Sequence, residues 1–244
     1  MDALLLVVAA FAGGAIAAVS GFGIGSLVTP VLALSVDTKL AVAAVAIPHV
    51  LGTAFRYWRL GGRPDRHVLL TFGLTSAAGG LLGALLHGRL GSPSLSLVFG
   101  ALLVCVALSE FTGLARRLHF EGRLAWAAGA LSGFLGGLVG NQGGIRSAAL
   151  LAFGMEPRTF VATATAIGLM VDAARTPVYL WTAGADLAAL AWPIALASAG
   201  VLAGTIAGGA LLARIPPRVY RPVVASLLGG LGVERRGGRE CRWA

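Results

Sequence analysis

Charge is scarce in this chain of 244 residues: 12% are Asp, Glu, Lys or Arg, against roughly a quarter in ordinary soluble proteins. That shortage excludes a conventional solvated surface. Cysteine is scarcer still, with two residues, which excludes a disulfide framework. The alternation of polar and apolar residues over about ten positions that marks a membrane β-barrel is missing as well. So are the short signatures of common enzymes: no Gly-x-x-x-x-Gly-Lys phosphate loop, His-Glu-x-x-His zinc helix or Gly-x-Ser-x-Gly elbow occurs. The expectation is a protein that is not an enzyme and needs no metal or cofactor.

What the chain has in quantity is hydrocarbon, at 57% hydrophobic residues. Uncharged runs cover Ala3 to Val36, Leu90 to Ser109, Leu124 to Ile145, Thr176 to Ala185 and Leu187 to Ala213. Several reach the roughly 20 residues that cross a bilayer as a helix. Lipid offers no hydrogen-bond partner, so each segment satisfies its own backbone as a helix. The first run is preceded by Asp2 rather than by basic residues and no polar domain follows it, so it reads as a membrane helix, not a secretory signal. The net charge of +9 falls mainly in short connections, as in membrane proteins whose cytoplasmic loops collect arginine. Nucleic acid is therefore not an expected partner; membrane lipid is.

The expected fold class is all-α, a polytopic membrane protein of about eight transmembrane helices. They are placed near residues 3–20, 40–58, 67–88, 94–111, 122–140, 158–182, 187–212 and 218–233, in a single membrane domain, 1–233, followed by a basic tail, 234–244. The uncharged stretch from Pro222 to Val233 is short for a full span.

Two runs are too long for one straight helix. Ala3 to Val36 would extend about 51 Å at roughly 1.5 Å per residue, against a hydrocarbon core of about 30 Å. The excess must break or fold back. One break is legible in GFGIGSLVTP, with Gly21, Gly23, Gly25 and Pro30, and the other in GNQGGIRS, residues 140–147. A shift of 119 positions lays Gly21 on Gly140, Gly25 on Gly144, Asp37 on Glu156, Lys39 on Arg158 and Arg56 on Arg175. The chain therefore reads as two repeats, about 3–111 and 122–233. With four helices in each, the expectation is direct repeats of one orientation. Loops on the side of RLGGRPDR, counted with the tail, hold the larger share of the 19 basic residues, which favours a cytoplasmic N-terminus.

A helix broken at membrane depth exposes N–H groups at the start of its second half, where the dipole favours an anion. The second break adds Asn141 and Gln142 as donors, Gly143 and Gly144 for close approach of a ligand, and Arg146 as a permanent charge with a planar fork. Burying that arginine costs about 2.5 to 3.5 kcal/mol on insertion scales, which argues for a role. Gly21, Gly23 and Gly25 would line the opposing wall. Asp172 and Arg175, three residues apart on one helix, can pair, either to hold helices together or to act in coupling. His49 is a candidate proton carrier. By contrast Gly129, Gly133 and Gly137, and Gly200, Gly204 and Gly208, form small faces expected to pack helices.

The segments GFGIGSLVTPVLAL and SGFLGGLVGNQGGIRSAALLAFGM resemble the paired signature segments of the sulfite exporter TauE/SafE family of membrane permeases, and RTFVATATAIGLMVDAARTPVYL is similar to the family's next helix. The resemblance covers Ala3 to Val233. It implies a duplicated inner-membrane permease of seven or eight helices that moves sulfur-containing anions such as sulfite or sulfonates. Departures are Ile24 where a run of glycines is common, Ala149 where the first half has Pro30, and the short last helix. The leading expectation is a secondary transporter for a small anion; because no nucleotide motif is present, any uphill transport would draw on an ion gradient, of protons or sodium, or on a partner subunit. A passive anion channel and a non-transporting scaffold or sensor subunit are the alternatives, and a homo-oligomer remains open.

Overall fold

The computed structural model describes residues 2–60, 62–111, 122–141 and 143–214. The expected helix at 218–233, the tail 234–244 and Gln142 lie outside the described residues. Within them the chain forms nine helices and no strand. These are α1 (Ala3–Ser20), α2 (Ile24–Ala33), α3 (Thr38–Leu60), α4 (Arg66–Arg89, with a π-helical turn at Leu69–Gly73), α5 (Ser92–Phe111), α6 (Arg123–Val139), α7 (Gly143–Ala152), α8 (Pro157–Ala189) and α9 (Ala191–Leu212). α1, α4, α9 and Thr38–Arg59 of α3 are long and apolar enough to cross a membrane. α8 runs past its expected end at 182, through a kink at Ala183.

Acidic side chains start several helices. Asp2 accepts from the Leu4 and Leu5 amides, Asp65 from Val68, and Asp37 from Leu40 at 2.9 Å and from the Ser92 hydroxyl at 2.7 Å, each satisfying donors that a helix leaves unpaired. The radial pattern suits lipid. Large apolar side chains such as Leu4, Phe11, Trp58, Trp181 and Trp192 face outward, while Ala41, Ala43, Ala44 and Ala46 fill the interior beside buried Arg56, Arg146, Asp172 and Arg175. Water would favour the reverse distribution.

The two small faces pack as expected. A methyl group at Gly129, Gly133 or Gly137 would strike Phe72, Ser76 or Gly80 of α4, and one at Gly200, Gly204 or Gly208 would strike Val7, Phe11 or Ala15 of α1. Both series rise together, so α6 runs parallel to α4 and α9 parallel to α1.

The relation between the repeats differs from the expectation. α3 and α8 correspond in register, yet His49 pairs with Asp172, Thr53 lies against Gly168 and Arg56 bonds Thr165, a descending series that makes them antiparallel. The repeats are therefore inverted, not direct. The reason is local: after Ser20 the chain doubles back, bringing Gly23 and Ile24 beside Gly13, and α2 returns along α1. This return leg makes the number of legs in the first half odd, so the second half starts from the opposite end. It also puts the start of α1 and the RLGGRPDR connection at opposite ends, where the sequence reading had them on one side. One end, the arginine end, gathers the ends of α1, α3 and α9 and the start of α8. The other, the Asp37 end, gathers the starts of α3 and α5 and the end of α4, joined by Asp37 to Ser92, Thr38 to Ser96 and Lys39 to the Gly88 carbonyl.

Candidate functional site

Both breaks have one construction. Gly21 closes α1 at φ 79°, ψ 2°, its N–H donating to Ala17, and Gly140 closes α6 at φ 76°, ψ 3°, its N–H donating to Gly136. A left-handed cap of this kind favours glycine. Each is followed by a ten-residue half-helix, α2 or α7. Gly23, at φ 133°, stands before α2, and no side chain caps that helix.

The breaks touch each other. A methyl group at Gly25 would run into the Gly140 carbonyl oxygen, and one at Gly143 into Phe22. Gly144 is buried beside it. Ser26 Oγ donates to Asn141 Oδ1 at 3.1 Å, Ser147 Oγ to the Ser20 carbonyl at 3.0 Å, and Arg146 Nη2 to the Gly21 carbonyl at 2.6 Å. Arg146 is 1% exposed, and its Nε and Nη1 have no hydrogen-bond partner among the described residues. Nη1 points toward Gly168 of α8, where Thr53 of α3 also lies. Thus Gly21, Gly25, Asn141, Gly143 and Arg146 are brought together, with Gly144 buried next to Gly143, whereas Gly23 faces Gly13 and Ile16 of α1 and Gln142 lies outside the described residues.

Next to this junction stands a buried charged cluster. Asp172 accepts from His49 Nδ1 at 2.7 Å through Oδ2, and from Arg175 Nε at 3.0 Å through Oδ1. Arg175 Nη1 also donates to the Gly136 carbonyl at 2.6 Å, and the Tyr179 hydroxyl donates to Gly137. A cation and a hydroxyl thus meet carbonyls at the end of α6, where the dipole favours positive charge, the Gly136 oxygen accepting from both Arg175 and the Gly140 amide. The pairing of Asp172 with Arg175 was legible from their spacing; the addition of His49, 123 residues from Asp172, was not. Ser26, Ser147, Thr53 and Tyr179 were also missed, since hydroxyls in apolar helices are too common to stand out. Arg56 carried a signal, its register with Arg175, and it is 4% exposed with Nε on Thr165 Oγ1 at 2.8 Å.

Arg146 and Arg175 against Asp172 leave the cluster with an excess of positive charge even with His49 neutral. The chemistry available is recognition of a negative group by guanidinium and backbone N–H, with an imidazole and a carboxylate adjacent. Among the described residues no group of three or more His, Cys, Asp and Glu side chains could hold a metal ion.

Comparison with curated proteins and with solved structures returned no match. The profile of the family described as Sulfite exporter TauE/SafE matches residues 5–235, nearly the whole chain. With its helical membrane architecture and duplicated broken helices, the chain belongs to the TauE/SafE sulfite exporter family of membrane permeases.

Proposed function

We propose that the protein is a secondary transporter of a small sulfur-containing anion, sulfite or a sulfonate, held where the two breaks cross. The observation that carries this reading is Arg146: a guanidinium buried to 1% exposure with two of its nitrogens unpartnered among the described residues. Taking such an ion out of water costs several kcal/mol, and an anion on its open fork would offset that cost. The starts of α2 and α7 converge on the same place, and their dipoles favour the same sign of charge. Asn141 and the N–H groups of Gly143 and Gly144 complete the set of donors, with Gly21 and Gly25 opposite.

Inverted repeats supply the means of alternating access, since exchanging the conformations of the two halves opens the site to the other side. His49 and Asp172 are the proposed proton relay. Basic residues favour an inner-membrane orientation with the arginine end in the cytoplasm, because Arg59, Arg63, Arg66, Arg123, Arg158 and Arg214 lie there, against Lys39 and Arg89 at the other. The start of α1 then lies on the outer side, the reverse of the sequence expectation. A thermal-shift titration of purified protein with sulfite, methanesulfonate and acetate tests the ligand class. The sulfur anions stabilise the wild type and not Arg146→Gln; equal insensitivity of both proteins to all three would contradict the proposal.

A further inference from the structure

Away from the crossing of the breaks, the arginine end holds a cavity of about 350 Å³ lined by Arg56, Arg59, Arg158 and Thr205, with Ile206 and Leu212 on its apolar side. We propose that it is a second anion site, for an oxyanion that carries a hydrocarbon chain.

Three guanidiniums line one space with no carboxylate among its described lining residues, and neither Arg59 nor Arg158 is ion-paired among the described residues. Like charges held together in this way favour an anion between them, and the planar fork of arginine suits an oxyanion. The floor is built rather than incidental: Arg56 is buried and oriented by the Thr165 hydroxyl at 2.8 Å. The inverted repeat shows what is different here. Arg175, its counterpart, has Asp172 one turn earlier on its helix and is fixed to the end of α6. At the position equivalent to Asp172 the first repeat has Thr53, and Arg56 lines the cavity beside Ala18 at the end of α1.

Thr205 adds a buried hydroxyl with no hydrogen-bond partner among the described residues. Its neighbour Ile206 is half exposed on the outer face of α9, which gives a bound chain an apolar wall continuous with lipid. The volume falls within the range of small-molecule sites, more room than a bare inorganic oxyanion fills. Two sources share this chemistry: the phosphate of an anionic lipid, for which basic pockets between helices are known sites, and a free alkanesulfonate. The site does not depend on the role of Arg146, which lies a helical turn deeper, beside Thr53 and Gly168.

The test uses the full chain in nanodiscs of phosphatidylcholine, titrated with 1-hexanesulfonate. Saturable binding is expected, stronger than that of methanesulfonate. It weakens about tenfold or more in the double variant Arg59→Gln/Arg158→Gln, as expected for lost charged hydrogen bonds, and is unchanged in Arg146→Gln. Both substituted arginines are exposed, and the packing contact removed is that of Arg59 over the Phe55 ring. Repeating the titration with phosphatidylglycerol in the disc separates the sources. Loss of hexanesulfonate binding, with phosphatidylglycerol retained by the wild type and not by the double variant in native mass spectrometry, assigns the site to lipid. Undiminished hexanesulfonate binding assigns it to the free anion. No saturable binding in phosphatidylcholine, or an affinity in the double variant within twofold of the wild type, overturns the proposal.

Discussion

Arg146 Nη2 donates to the carbonyl of Gly21 at 2.6 Å, so the arginine that follows one broken helix rests on the residue that ends the other. The contact spans 125 residues and ties the repeats together where each has interrupted its backbone. Such a junction tolerates little added volume. Gly25→Ala, whose methyl would meet the Gly140 carbonyl oxygen, should destabilise the protein by about 1 to 3 kcal/mol. Gly100→Ala, with nothing within 4 Å of the added carbon, should be neutral or stabilising by up to about 1 kcal/mol. Melting curves of the two variants in detergent compare them directly; similar losses would contradict the close approach of the breaks.

Inversion of the repeats is open to labelling from one side of the membrane. Ser35 and Glu156 are exposed, lie in corresponding connections of the two repeats, and stand at opposite ends of the bundle. In a background without native cysteines, Ser35→Cys and Glu156→Cys should react with a membrane-impermeant maleimide from opposite sides. Direct repeats would place both on one side.

The glycine breaks and, among the described residues, the positions of the long helices were legible in the sequence because each has a local cause. A left-handed cap favours glycine, and a span needs a minimum length of hydrocarbon. The direction taken after Gly21 has no such signal: φ 79° says where α1 stops, whereas the return of α2 depends on contacts such as that of Gly13 with Ile24. One unseen return leg was enough to reverse the relation between the halves. Likewise Asp172 and Arg175 share a helix and announced their pairing, while His49 reaches Asp172 only through the crossing of α3 and α8.

Asp172 is the sole carboxylate accepting both His49 and Arg175 among the described residues. Asp172→Asn should therefore leave Arg175 under-compensated in the interior and cost about 3 to 5 kcal/mol. The double variant Asp172→Asn/Arg175→Gln should recover part of that loss. A double-mutant cycle on unfolding free energy checks the coupling, and additive losses would contradict it.

His49 brings the cluster an imidazole, which can take up a proton at one ring nitrogen and release it from the other. If it relays protons, His49→Gln should retain the thermal shift with sulfite but lose the acceleration of flux by an imposed pH gradient. An undiminished response to the gradient would remove His49 from coupling.

At the Asp37 end the Leu40 amide, followed by the Ser92 hydroxyl, holds the Asp37 carboxyl below the usual carboxylate range. A carboxyl lowered by folding contributes stability above its unfolded pKa, and that contribution is lost as pH falls through the folded value. Asp37→Ala should thus cost about 1 kcal/mol at neutral pH and progressively less in acid. Melting temperatures of both proteins, measured from pH 7 downward, should converge; a constant difference would contradict the assignment.

The most direct test of the transport site is flux of sulfite through proteoliposomes containing wild type or Arg146→Gln, with insertion of each verified. Loss of a charged donor to the anion predicts a fall of roughly tenfold to more than a hundredfold, with the variant folded and inserted. Flux near that of the wild type would contradict the placing of the anion at the crossing of the two broken helices.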